Sequence, residues 1–248
     1  MASKRLFSFR GWVIAMAGLA GMPLAHAGLV NIDFNSGAAV GTYSGAAVTG
    51  AAGDLWNGVD GGSLSAPTDS SNVPLLDAAG ASTGITLSFA GTGGAFDATG
   101  NGCLMSTSSF APLMCDYLYR SLRADASVTL AGLTPGAAYD LILYASANTD
   151  GRITEFTLDG ITQSVTAAAA TGFALGTNYA EFKGVVAATG LLSFTFTGPS
   201  EGNLDGLQLT QTGGNAVTLP EPATIALLAL GLGTVAWLRG KRAGATRL

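Results

Sequence analysis

The chain has 248 residues, of which 48% are hydrophobic and 11% charged, with 36 glycines, 2 cysteines and a formal net charge of −5. Residues 28–219 hold 15 acids against the bases Arg120, Arg123, Arg152 and Lys183, an acidic balance that excludes nucleic acid as a partner. The sole histidine, His26, lies in the N-terminal segment, so a body beginning after it has no Ser-His-Asp triad, no Cys-His pair and no His-containing zinc site.

Lys4, Arg5 and Arg10 precede an apolar segment from Trp12 to Ala20, and Ala25-His26-Ala27 then supplies small residues. That order reads as a secretory signal peptide over residues 1–27, cleaved between Ala27 and Gly28. Export makes the later cysteines available for oxidation.

The body, residues 28–212, reads as all-β. Leu29 to Phe34 opens it with apolar residues at alternate positions, and Ile85 to Phe89 and Val128 to Leu130 repeat the pattern. Tyr139 to Tyr144 is apolar on nearly both faces and is expected inside a sheet. Ile153 to Leu158 and Ile161 to Val165 flank Asp159-Gly160, a two-residue type I′ hairpin signal. Tyr179 to Val186, Leu192 to Phe196 and Leu204 to Leu209 complete the set. Short strands separated by Gly-rich turns predict an antiparallel β-sandwich. No fixed repeat period supports a solenoid or propeller.

Between Thr42 and Asp116 the strand signal fades. Trp56 has two readings there, a sugar-stacking platform in a cleft or a buried anchor for the surrounding loop. Cys103 and Cys115 are expected to form a disulfide, since an exported chain oxidises such a pair.

Leu133-Thr134-Pro135-Gly136 followed by Tyr139 to Tyr144 resembles the turn and inner strand of bacterial extracellular β-sandwich modules. Phe194-Thr195-Phe196 and Glu201 to Leu209 resemble their closing pair, as in jelly-roll and galactose-binding-like modules. The resemblance implies a jelly-roll-like sandwich and raises carbohydrate binding as a function.

Residues 213–219 read as a linker. Beyond it, Pro220-Glu221-Pro222 is followed by an uncharged apolar run, 223–238, and by a basic end, 239–248, containing Arg239, Lys241 and Arg242. As a helix the run would reach about 24 Å, slightly short of a bilayer core of about 30 Å. Trp237 falls where an interfacial aromatic belongs, and the basic end predicts a cytoplasmic C-terminus for a transmembrane helix. This order closely resembles the PEP-CTERM sorting tail. The resemblance implies an exosortase as processing partner alongside the secretion machinery. It also implies transient anchoring in the inner membrane of a Gram-negative-type bacterium, then a cell-surface or exopolysaccharide-matrix destination.

Three functions follow for the body: a structural or adhesive module of a surface or matrix protein, a carbohydrate-binding module, or a hydrolase working through two carboxylates. The first is the primary reading, and no residue stands in a recognisable catalytic motif. A structural calcium ion is a further expectation, at Asp33 in the first strand with Glu201 and Asp205 near the last, because the two strands of a jelly-roll run close together. The competing reading of these acids is hydrogen bonding to turn amides.

Overall fold

The computed structural model describes residues 28–37, 42–121 and 125–213. Ala25, Ala27, the sorting motif, the apolar run and nearly all of the linker lie outside the described residues, while Gly28 is the first residue within them. Among the described residues no helix is long and apolar enough to cross a membrane.

The chain opens with β1 (Leu29–Asn35) and continues through β2 (Asn57–Asp60), a small ribbon of β3 (Gly62–Ser63) and β4 (Ala66–Pro67), then β5 (Ser70–Leu76), β6 (Ser82–Ala90) and β7 (Ala95–Asp97). A four-residue helix, α1 (Ala111–Met114), leads into β8 (Asp116–Ser121), β9 (Ala126–Ala131) and β10 (Ala138–Tyr144). There follow β11 (Ile153–Leu158), β12 (Ile161–Thr166), β13 (Tyr179–Val186), β14 (Leu191–Thr197), β15 (Glu201–Leu204) and β16 (Gly206–Gly213).

These strands form a five-stranded sheet, ordered β13-β10-β16-β1-β2, and a six-stranded sheet, ordered β12-β11-β14-β9-β6-β5. Alternation explains why they share a core. Val30, Ile32 and Phe34 of β1, with Leu141 and Leu143 of β10, meet Phe89, Val128, Phe156, Phe194 and Phe196 of the other sheet in one buried cluster. A three-stranded sheet, β15-β8-β7, joins that core through Leu118, Ala95 and Leu204.

The expected β architecture is present, with β10 flanked on both sides as its two-faced burial requires. First and last strands do pair, Asp33 standing opposite Gly206 in the antiparallel β1–β16 ladder. Asp159 and Gly160 both adopt positive φ, 50° and 77°, as a type I′ turn demands, and join β11 to β12 with Leu158 opposite Ile161. Two expectations need correction. The pairing is not wholly antiparallel, because β1 and β2 run parallel. The stretch Leu204 to Leu209 is not one strand but breaks at Asp205, whose carboxylate binds the Ser146 amide while its own amide donates to Tyr144 O. Pro74 sits in β5, at the edge of its sheet, where a missing donor costs no ladder bond.

The outer face of the five-stranded sheet is not open to solvent. Asn31, Asp33 and Asn35 of β1, with Ile142 and Tyr144 of β10 and Gln208 of β16, lie under segments 42–56, 98–115 and 171–179. Trp56, Tyr43, Tyr144, Phe110 and Phe173 form a chain of ring contacts within this cover. Cys103 and Cys115 are joined in a disulfide, Cα to Cα 5.4 Å, that closes the loop carrying α1.

Candidate functional site

Two arrangements of polar side chains stand apart from ordinary packing. The first is a set of three buried carboxylates: Asp33 on β1, Asp116 at the start of β8 and Asp205 between β15 and β16. Each accepts one backbone amide through Oδ2: Tyr43 N donates to Asp33 at 2.7 Å, Ser36 N to Asp116 at 3.1 Å and Ser146 N to Asp205 at 2.6 Å. The other oxygen of each, Oδ1, is buried without a hydrogen-bond partner, and so are Oδ1 of Asn35 and of Asn203.

Burial raises the pKa of all three above the usual carboxylate range. Asp33 is pushed up to about 7 by desolvation, against the Tyr43 amide. Asp116 is pushed up to about 8, first by desolvation and then by the charges of Asp33 and Asp97. Asp205 is raised by desolvation and then by Asp116 and Asp33. The side-chain charges acting on Asp116 and Asp205 are thus all of like sign, with Asp33 felt by both of the others.

Of the residues expected to share a metal, the structure brings Asp33 and Asp205 together and adds Asp116. It places Glu201 elsewhere, in an ion pair with Arg152. Among the described residues no group of three or more His, Cys, Asp or Glu side chains is placed to hold a metal ion as it stands.

The second arrangement is a cavity of about 150 Å³ lined by Leu64, Phe96, Tyr117, Tyr119, Asn148, Arg152 and Glu201. The β7–β8–β15 pairing builds it. Phe96 stands opposite Tyr117 and Asn203 opposite Tyr119, so alternation turns these side chains to one face while Leu118, Ala95 and Leu204 enter the core. The Phe96 and Tyr117 rings lie 5.6 Å apart. Arg152 Nη1 donates to Glu201 Oε1 and, at 3.1 Å, to Asn148 Oδ1, which fixes the guanidinium at the wall. Burial raises the pKa of Glu201, with Arg152 pulling it back. Burial also raises that of Tyr117, followed by the charges of Glu201 and Asp205, so the phenol stays protonated and able to donate.

A larger cavity, about 390 Å³, opens beside Gly28 and Gly213. Its one charged residue is Asp77, whose Oδ1 already accepts the Ala79 and Ala81 amides, and its one aromatic, Tyr139, is buried with its hydroxyl accepting Thr134 N. That lining offers no ring face and no unengaged charged group. A third cavity, of about 360 Å³, carries only Asp69 as a charged residue.

Trp56 presents no open ring face. It is 4% exposed, its Nε1 donates to Gly45 O at 2.9 Å, and Tyr43 and Tyr144 pack on it. The anchor reading is the one the geometry supports. Sequence reasoning missed Phe96, Tyr117, Tyr119, Asn148 and Arg152 as cavity residues and Asp116 as the neighbour of Asp33. The alternation Tyr117-Leu118-Tyr119 was the available signal, one apolar residue inward between two rings outward.

No family model matches the chain, and no curated protein matches it. Solved structures resembling part of the chain include TmCBM61 in complex with β-1,4-galactotriose, at 12% identity, covering 52% of this chain and 83% of that one, with a TM-score of 0.27. Another is the exo-β-1,3-galactanase of Phanerochaete chrysosporium with galactose, at 14% identity, covering 54% and 32%, with a TM-score of 0.31. A third is the enzymatically active domain of a bacteriophage CBA120 tailspike protein, at 13% identity, covering 52% and 18%, with a TM-score of 0.23. The chain spans less than a third of the galactanase and of the tailspike domain.

Proposed function

We propose that the body is a carbohydrate-binding module of an exported surface or matrix protein, and that its sugar site is the Phe96–Tyr117–Tyr119 cavity. The observation that carries this is the pairing, in one small concavity, of the half-buried Phe96 and Tyr119 rings with a fixed Arg152–Glu201 pair and the Asn148 amide. A pyranose presents both surfaces such a site reads. Its C–H face packs on a ring, and its hydroxyls donate to carboxylate or amide oxygens and accept from guanidinium. Exopolysaccharide of the surrounding matrix is the ligand class that suits the exported location.

The hydrolase alternative has less support from the geometry. Each of the three cavities has a single carboxylate in its lining, Asp77, Glu201 or Asp69, whereas that chemistry needs two flanking one bond. The termini complete the proposal: signal-peptide export, transient anchoring by the tail, and exosortase processing at Pro220-Glu221-Pro222.

The test is a glycan array, followed by titration of any glycan that binds. Tyr119→Ala and Arg152→Ala are each expected to weaken binding at least tenfold while leaving the far-ultraviolet spectrum unchanged. A glycan bound equally well by both variants would remove the cavity from the proposal, and an array with no hit would remove the sugar.

A further inference from the structure

We propose that Asp33, Asp116 and Asp205 form a calcium site beneath the loops that cover the five-stranded sheet. Four observations converge on it, and the sugar site enters none of them.

Each carboxylate is buried, at 0% exposure, and folding brings them into one neighbourhood: the Phe34 amide, next to Asp33, donates to Asp205 O at 2.9 Å, and the Ser36 amide donates to Asp116 Oδ2 at 3.1 Å. Each commits Oδ2 to a backbone amide and leaves Oδ1 without a partner. An unpaired carboxylate oxygen in a protein interior is expensive, and three that repel one another are more so. Among the described residues no ion pair reaches these carboxylates: Arg152 is paired with Glu201 and Lys183 with Glu181.

The chemistry of the free oxygens selects the ion. All are hard oxygen donors, and Oδ1 of Asn35, alternating with Asp33 on the same face of β1, is a fourth that is buried and unpartnered. Ca²⁺ takes six to eight such oxygens, carboxylate, amide and main-chain carbonyl together, in flexible geometry. Zn²⁺ favours nitrogen and sulfur, which are absent here, and Mg²⁺ demands a tight octahedron. As they stand the three acids are not placed to hold an ion together, so binding requires their Oδ1 atoms to close on it. Bringing Oδ1 onto an ion breaks no existing hydrogen bond, because Oδ1 makes none.

Glu201, the third acid expected from the sequence, is replaced in this site by Asp116. Ser146, whose amide binds Asp205 and whose carbonyl accepts Asn203 Nδ2 at 2.8 Å, lies two residues before Asn148. The ion therefore fastens the start of the segment that carries Asn148 and Arg152.

The experiment uses the full chain in detergent, stripped with chelator, and reads ⁴⁵Ca²⁺ by equilibrium dialysis at neutral pH alongside the thermal midpoint. The expected result is close to one calcium ion per chain, with a dissociation constant of about 10⁻³ M or below, and a midpoint raised by several degrees. Asp116→Asn keeps the side-chain size and is expected to abolish both effects, whereas Asp150→Asn at an exposed turn retains both. No bound calcium and an unmoved midpoint for the unaltered chain would overturn the proposal, whatever the variants do. Equal losses in the two variants would also overturn it, since binding would then be diffuse attraction to an acidic surface.

Discussion

At Trp56 the chemistry of one side chain separates two roles. A ring that stacks on a sugar must show a face to solvent, whereas this indole is enclosed by Tyr43 and Tyr144 and spends its only donor on Gly45 O. Truncating a buried tryptophan removes its packing and leaves that carbonyl unpaired. Trp56→Ala is therefore expected to lower stability by about 3–5 kcal/mol in chemical denaturation, with the affinity of the remaining folded protein for any glycan unchanged. Tyr119→Ala is expected to do the reverse, because its ring is half-buried at a cavity wall. Finding that Trp56→Ala impairs glycan binding while stability holds would return the platform role to Trp56. The sequence could not choose between these readings, since burial of Trp56 depends on residues as distant as Tyr144. Asp33 and Asp205 were legible as neighbours because first and last strands meet in such a sandwich. Asp116 was not, because it reaches them only through β8 and the loop that precedes it.

Elements with strong alternation were read well, and those without it were not. Tyr179–Val186 matches β13 end to end, and the Asp159-Gly160 turn fixed both partners of its hairpin. The stretch from 42 to 116 hid β2, β5 and β7, whose burial comes from crossing strands and covering loops more than from their own pattern. The element that makes this region cohere is the disulfide loop. Cys103 and Cys115 pin α1 so that Leu113 and Met114 enter the second core with Tyr117 and Tyr144. Closing a loop this short restrains the unfolded chain by about 3 kcal/mol in the entropy model. Cys103→Ser with Cys115→Ser is expected to lower unfolding free energy by about that amount or less. In the unaltered protein, alkylation without reductant should modify neither cysteine, and quantitative labelling of both would show that the pair is not oxidised in the exported protein.

On the scale of the whole molecule, charge is partitioned along the chain. Seven of the 11 basic residues lie in segments 1–27 and 220–248, leaving the intervening body strongly acidic. A body this acidic is expected to repel an anionic membrane surface, so the proposed anchoring is assigned to the ends. The tail has the required parts in order. By the sequence reading, the two prolines of Pro220-Glu221-Pro222 disfavour joining a helix from upstream, and an extended segment there is the expected processing signal. The apolar run is short for a span but is followed by Arg239, Lys241 and Arg242, from which a cytoplasmic C-terminus is expected. Replacing Pro220, Glu221 and Pro222 by alanine removes the extended signal while leaving the run intact. The altered protein is expected to remain uncleaved in the inner-membrane fraction of a host that makes an exosortase, while the unaltered protein is shortened and released. Mass measurement of the two forms decides it: equal mature masses and equal release would mean that the triplet is not the processing signal.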